Sequence, residues 1–535
     1  MYLNIYFKKI TILLFAIINL LLLLPLIDQY TGKIYYLILL FVLCNSYIYY
    51  SLQFSSFFLD KTLSIFLWLG FYYKLSIIFI TESTLPEGGG AFQYQPEQFD
   101  RLLIYLNVAI LSLLFFSIFY KFLIQSRFQT NINTQESEKK LIEYYKKNKK
   151  IFFIIFFVLI IFVTYINFST GFYQKGLLPK KELNLLLGYF IKWMLLFGLT
   201  SITCLLIDYE YKSYKNISII VLGLFFLELS LTNFSILSRA LVFSGSAVLF
   251  STYLNYEKIN YDKKIQNSLI INFLILFLFF LATVFPINKI RQFGTVDLVY
   301  TAKKIITESK NKSNNISNNN INLEEKIDQE QLKLAIKNLK KEGVTNKLNL
   351  KDNFTRFLFL LKYRFVGLDS LAAVTSYPDK SFDLFWRALK DEYNPNDYGF
   401  YERTFVKLYE QKESVGKGFD RSSERHYTVI TPGILSFLSY PGSLSFLFFS
   451  CGIIYIFCVS IEALALKFSY GSLVFSNFIG YIIGYRLIHF GYLPKQSYLL
   501  FGAILATILL IKVFSLKILN NQKIELEITK KDPLP

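Results

Sequence analysis

The most constraining feature of this 535-residue chain is a series of long apolar runs. A helix needs about 20 mostly apolar residues to cross the hydrocarbon core of a bilayer, and many windows of the chain supply them. Hydrophobic residues make up 53% of the composition. That share is too high for a soluble protein of this length, whose domains would need polar surfaces. The sequence therefore predicts an all-α polytopic membrane protein.

We predict about twelve transmembrane helices. They lie near residues 10–27, 34–50, 62–80, 102–124, 151–168, 187–207, 217–232, 238–255, 268–287, 441–460, 471–486 and 498–516. The predicted organisation is an N-terminal membrane bundle of about nine spans (1–287), a large loop (288–440), about three C-terminal spans (441–516) and a tail (517–535).

The distribution of basic residues predicts the orientation of these spans. With the N-terminus in the cytoplasm, the short cytoplasmic segments contain 22 Lys and Arg, and the short external connections contain 8. This is the positive-inside bias of plasma-membrane proteins. Both termini are predicted to be cytoplasmic and the large loop extracytoplasmic. The net charge of +19 follows from the same bias, so it does not indicate nucleic acid as a partner.

The large loop has predicted structure of its own, since loops this long and structureless are uncommon. The Asn/Ser-rich tract 309–320 is predicted to be disordered. An amphipathic helix is predicted near 324–342, and a second one over 354–366 contains too many charges to be a span. Gly367 is predicted to end that helix, and Asp369 to cap the next one.

Arginines in and beside this loop are candidate anion ligands. They are Arg291, Arg356, Arg364, Arg387, Arg403, Arg421 and Arg425. The guanidinium group suits phosphate because it is always charged and can donate two parallel hydrogen bonds. The alternative is a solvated surface, because the loop also contains many acidic residues. Arg356 and Arg364 fit the ligand interpretation best, since they lie within apolar sequence. Arg239, between two spans, would enter the bundle from the same side.

His426 is a candidate acid or base, because it precedes a span and histidine titrates near neutral pH. The alternative is an interfacial histidine with no chemical role. Two helix breaks follow it, TPG at 431–433 and YPG at 440–442. They predict a short re-entrant or interfacial helix over 433–439.

Metal and cofactor sites are not predicted. The four cysteines lie in apolar runs without a CxxC pair, which indicates buried thiols, and two histidines are too few for a His-rich metal site. Within the spans we identify four ionisable residues, Lys192, Glu228, Arg239 and Arg486. So few charges argue against an ion-coupled transporter.

The segments TPGILSFLSYPGSLSFL (431–447), WLGFYYKLSI (68–77) and PEGGGAF (86–92), with the predicted topology, resemble bacterial O-antigen polymerases of the Wzy type. The resemblance covers most of the chain as an architecture. It implies a glycosyltransferase that joins undecaprenyl-diphosphate-linked repeat units at the outer face of the plasma membrane, with the bilayer and a chain-length regulator as candidate partners.

The resemblance also implies roles for the candidate residues. Arg356 and Arg364 would stabilise the diphosphate leaving group, and His426 or Asp369 would accept the proton of the attacking hydroxyl. Arginines for substrate binding are Arg239, Arg291, Arg403, Arg421 and Arg425. Alternative functions are an O-antigen ligase, a lipid-linked oligosaccharide flippase or transporter, and a sensor or assembly factor without catalysis.

Overall fold

The computed structural model describes residues 2–80, 96–124, 132–174, 183–238, 241–257, 367–391, 400–406, 433–488 and 494–531, together with positions 271, 274, 275, 278 and 287. In chain order the helices are α1 (Tyr2–Gln29), α2 (Ile34–Gln53), α3 (Phe58–Ile80), α4 (Pro96–Ile124), α5 (Ile132–Thr170), α6 (Leu185–Tyr214), α7 (Ile219–Ile236), α8 (Leu241–Glu257), α9 (Leu368–Ser376), α10 (Phe382–Lys390), α11 (Gly433–Leu438), α12 (Leu444–Phe468), α13 (Leu473–Ile488) and α14 (Pro494–Lys531). A π-helical turn at Glu402–Val406 precedes α11.

Eight helices are long and apolar enough to cross a membrane, namely α2 to α7, α12 and α14. Each coincides with a predicted span, so the polytopic membrane class is confirmed by length and composition. Shorter apolar segments lie at three other predicted spans, in α1 (Phe15–Gln29), α8 (Phe243–Leu254) and α13 (Leu473–Ile488). The predicted span at 268–287 lies almost entirely outside the described residues. The total of twelve therefore stays a prediction.

The connections between helices lie at two opposite ends of the bundle, as contacts between their residues show. At one end the hydroxyl of Tyr105, in α4, donates a hydrogen bond to the carbonyl of Gly442 (2.7 Å). We call this the loop end, because α9, α10 and α11 lie there. At the opposite end Lys212, in α6, donates to the carbonyl of Gly471 between α12 and α13 (3.0 Å). This alternation agrees with the order of the predicted spans.

The C-terminal helices pack directly against the N-terminal ones, α12 against α4 and α13 against α3. Glu462, in α12, accepts hydrogen bonds from the backbone N–H groups of Phe58 (2.7 Å) and Leu59 (2.9 Å). These groups open α3 and have no acceptor within their own helix. A carboxylate is also favoured at this position by the helix dipole. Both parts of the chain therefore belong to one packed bundle.

Candidate functional site

A buried ion pair joins the membrane bundle to the large loop. Lys74, in α3, donates a hydrogen bond from Nζ to Oδ2 of Asp369, in α9, at 2.5 Å, and the side chains are 0% and 3% exposed. Lys74 directly follows the π-helical turn Trp68–Tyr73. Such a turn adds a residue to the helix and so changes the direction of the side chains that follow. Asp369 therefore fixes α9 to a membrane helix.

The prediction that Asp369 caps α9 is wrong. The helix begins at Leu368, the N-cap position is Gly367, and no side chain forms a capping hydrogen bond there. The carboxylate binds Lys74 instead, because a buried ammonium group is a stronger partner than a backbone N–H. Gly367 has φ of +133°, and the ring of Phe71 would lie 2.6 Å from any Cβ atom at this position. The glycine thus allows α9 to approach α3 closely.

The short helix predicted over 433–439 is confirmed as α11, and all of its residues are buried. Gly433 and Gly442 bracket it with φ of +78° and +77°, a backbone region that favours glycine. The carbonyl of Tyr440, just after α11, accepts a hydrogen bond from the backbone N–H of Ser381, which caps α10 (3.0 Å). The turns at Gly433 and Gly442 thus place α11 where the residue that follows it, Tyr440, can bind the start of α10.

Two loop arginines form ion pairs on or beside α10. Arg387 binds Asp383 at 2.9 Å, and both side chains are largely exposed. Arg403 binds Asp391, which also accepts a hydrogen bond from the backbone N–H of Phe400 (3.1 Å). The sequence predicted that Arg403 binds an anionic substrate. Its contact in the structure ties together the segments around Asp391 and Phe400.

A second cationic region at the loop end lies between α6, α7, α8, α13 and α14. Arg486, in α13, lines a cavity of about 100 Å³ together with Tyr173, Ser238 and Ser244. Lys192, in α6, places its Nζ 5.3 Å from the centre of the Tyr173 ring. We call Arg486, Lys192, Tyr173, Ser238 and Ser244 the cationic pocket. A water molecule occupies about 30 Å³ in the liquid, so this space is suited to a small polar group.

The electrostatics of the cationic pocket favour an anion. Nε of Arg486 is buried, and no side chain or carbonyl among the described residues accepts a hydrogen bond from it. Within the described part of the chain, no carboxylate forms an ion pair with Arg486 or Lys192. Burial raises the pKa of the Tyr173 hydroxyl, while the charge of Arg486 opposes that rise. The cavity thus offers the guanidinium group of Arg486 and several hydroxyl groups to an incoming negative charge, and Lys192 adds a second cation beside Tyr173.

Seven of the nine predicted site residues lie outside the described residues. They are Arg239, Arg291, Arg356, Arg364, Arg421, Arg425 and His426. Their roles stay predictions. Arg486 and Lys192 were both named from the sequence as ionisable residues within the spans, but Tyr173, Ser238 and Ser244 were not.

Sequence reasoning also missed several buried charges. Lys74 lies inside the span predicted at 62–80, where an ionisable residue indicates function by default. Asp60, Asp208 and Glu462 are 1%, 4% and 1% exposed. These three residues lie one or two positions outside the predicted spans, but inside the apolar helices of the structure. The four ionisable residues named from the sequence therefore did not include every charge in these helices. A scan for every charge within a few residues of each apolar run would have found them.

Comparison with known proteins gives no match to the chain among protein-family models, curated proteins or solved structures.

Proposed function

We propose that this chain is a membrane glycosyltransferase that polymerises glycan repeat units linked to a lipid diphosphate. The observation that carries the proposal is the cationic pocket, in which Arg486 and Lys192 lie beside the same residue, Tyr173, at one end of an apolar helical bundle. A lipid diphosphate combines a hydrocarbon tail in the bilayer with negative charge at its surface. We place the charged group of such a molecule in this pocket.

The proposed reaction transfers a growing glycan from one lipid diphosphate to a second lipid-linked unit. A hydroxyl oxygen of the second unit forms a bond to the anomeric carbon of the growing glycan. The bond between that carbon and the diphosphate oxygen breaks, and its electron pair leaves with the lipid diphosphate. The proton of the hydroxyl passes to a base. Fixed cations speed such a reaction because they stabilise charge that develops on the leaving group.

The candidate residues divide between these tasks. Arg486 and Lys192 would hold a diphosphate, and Arg356 and Arg364 stay proposed ligands of the same group. His426 stays the proposed base. Asp369 fits that role less well, because Lys74 occupies one of its carboxylate oxygens. We assign Asp369 to positioning α9.

Replacing Arg486 by glutamine tests the proposal in cells whose only copy of this gene carries the variant. Removal of one donor to a developing negative charge lowers a rate by about 100- to 1,000-fold. We expect the surface glycan to lose its long chains while the single repeat unit remains. The matched control is Arg387→Gln, which removes an exposed arginine at the same end and should leave the glycan ladder unchanged. A normal ladder in Arg486→Gln would contradict the proposal.

A second candidate function, transport of the lipid-linked glycan, is favoured by the buried carboxylates. Glu228 is 0% exposed in α7 and accepts a hydrogen bond from the hydroxyl of Thr200 (3.1 Å). Buried carboxylates within spans are typical of ion-coupled transporters. A defect in transport or ligation would remove all of the glycan from the cell surface, including the single repeat unit. The same glycan ladder therefore separates these functions from polymerisation.

A further inference from the structure

A large apolar groove runs between α5, α6 and α14, on a different part of the surface from the cationic pocket. Its volume is about 510 Å³, and Ile155, Trp193 and Phe514 are among its lining residues. Ile155 and Phe514 are 60% and 64% exposed. The groove therefore opens on the outside of the bundle. All three helices contain apolar windows long enough to cross a membrane, so this opening faces hydrocarbon.

Hydrocarbon is the occupant that the chemistry of the groove favours. The indole N–H of Trp193 already donates to the hydroxyl of Thr507 (2.8 Å), which in turn donates to the carbonyl of Ala503 (2.8 Å). A bound water needs two to four polar partners, and the mostly aliphatic and aromatic lining supplies few. An empty groove would forgo packing contacts along three helices. A lipid chain restores these contacts and is present at high concentration in the bilayer.

The charge at one end of the groove indicates the type of lipid. The groove extends along α5 to Leu141 and Tyr145, near the end of the bundle opposite the loop. α5 has 39 residues, or about 58 Å of helix, which is roughly twice the ~30 Å thickness of the hydrocarbon core. Its first turns therefore extend beyond the hydrocarbon. Between 139 and 150 they contain six lysines and a single acidic residue, Glu143.

Four of these lysines, Lys139, Lys146, Lys147 and Lys150, are exposed. Lys149 is held by Glu210 (2.6 Å), which also accepts a hydrogen bond from the hydroxyl of Tyr145 at the end of the groove (2.7 Å). This contact links the lysine-rich turns to α6. We propose that the groove binds one acyl chain of an anionic glycerophospholipid, whose headgroup phosphate lies on the lysine-rich start of α5. The proposal does not depend on the glycosyltransferase function, because the groove and the cationic pocket are separate.

Tryptophan fluorescence tests this site, since the chain has three tryptophans and Trp193 lines the groove. The full-length W68F/W386F variant leaves Trp193 as the sole tryptophan. It is placed in vesicles of phosphatidylcholine and phosphatidylglycerol at a fixed ratio, with brominated acyl chains on one lipid or on the other. Bromine quenches tryptophan that it approaches. We expect stronger quenching when phosphatidylglycerol carries the bromine.

Variants in the same background test the two parts of the site separately. Ser201, which lines the groove, becomes phenylalanine to fill it, and quenching by brominated phosphatidylglycerol should fall. Ser169→Phe is the matched control, because Ser169 is exposed on α5 and outside the groove. Replacing Lys146, Lys147 and Lys150 by glutamine should reduce the preference for phosphatidylglycerol, by about fivefold for each lysine near the headgroup. Lys467→Gln, an exposed lysine on α12, should leave it unchanged.

Equal quenching by the two brominated lipids would overturn the proposal, and this measurement needs no groove variant to fold. Unchanged quenching in a folded Ser201→Phe variant would also overturn it. Relief of quenching by added polyprenyl phosphate, but not by added phosphatidylglycerol, would assign the groove to a polyprenyl chain instead. None of these results alters the glycan ladder of Arg486→Gln, so failure here and failure of the proposed function are distinguishable.

Discussion

Replacement of Lys74 by methionine should release α9 from the membrane bundle. The change keeps the length of the side chain and removes its charge. It leaves Asp369, whose side chain is 3% exposed, without its ammonium partner. Removal of one member of a buried ion pair costs about 3–5 kcal/mol, because the remaining charge is buried without compensation. We expect α9 to open in response, because opening exposes Asp369 to water.

The rate of thiol labelling measures this opening. Ala373, in α9, is 0% exposed, so a cysteine placed there reacts with a bulky maleimide only when α9 opens. The four native cysteines are all buried and give the background rate. A cost of at least 3 kcal/mol raises the population of a local opening by about 100-fold or more. We therefore expect A373C to label at least about 100-fold faster in the Lys74→Met background.

Two further variants decide whether the ion pair is the cause. Arg387→Gln breaks an exposed pair on the neighbouring helix α10, whose side chains are 63% and 75% exposed. Exposed pairs contribute little to stability, so labelling should stay near the wild-type rate. The double variant K74M/D369L removes both buried charges and should restore slow labelling, because apolar replacement of a buried pair is often neutral. Two results would refute the reasoning. One is that A373C labels equally fast in the K74M and R387Q backgrounds; the other is that it labels equally fast in the K74M/D369L and K74M backgrounds.

Two other contacts make specific predictions. Glu462→Gln replaces one of the two oxygens that accept hydrogen bonds from the start of α3 by an NH2 group. The lost hydrogen bond should cost about 1 kcal/mol, seen as a lower thermal unfolding temperature in detergent; an unchanged temperature would show that the hydrogen bond contributes nothing to stability. Arg403→Gln and Asp391→Asn break the same ion pair, so a purely structural role predicts equal loss of protease resistance in both variants. Loss of long glycan chains in Arg403→Gln alone would instead support the substrate-binding role predicted from the sequence.

The spans could be predicted because the thickness of the bilayer sets one length for every apolar run. Their ends could not, since helices continue into polar sequence. α5 begins at Ile132, although the apolar run begins near residue 151. Lysine and glutamate are good helix formers, so the helix continues through the lysine-rich segment. The break between α7 and α8 was predicted at 232–239, and it occurs after Ile236, where Leu237 takes a left-handed conformation with φ of +53°.

The role of Asp369 could not be predicted because its partner is distant in sequence. The local pattern of a glycine followed by an aspartate favours a cap, and local pattern is all that sequence spacing offers. The competing partner, Lys74, comes from a helix almost 300 residues earlier. A buried lysine needs a hydrogen-bond acceptor, and that acceptor can come from any part of the chain. Because Lys74 lies within a predicted span, the sequence predicts that it has a carboxylate partner, but it does not identify that partner.

The cationic pocket was hidden for the same reason, and its composition explains why it matters. Its side chains come from separate segments of the chain, with Tyr173 and Arg486 more than 300 positions apart. Burying a guanidinium nitrogen without an acceptor costs free energy, and a leucine at that position would avoid the cost. Nor does the positive-inside bias favour an arginine at the loop end, which is predicted to be extracytoplasmic. The proposed anionic ligand would offset the cost and supply the acceptor that the described residues do not provide. This is why we propose a binding role for Arg486.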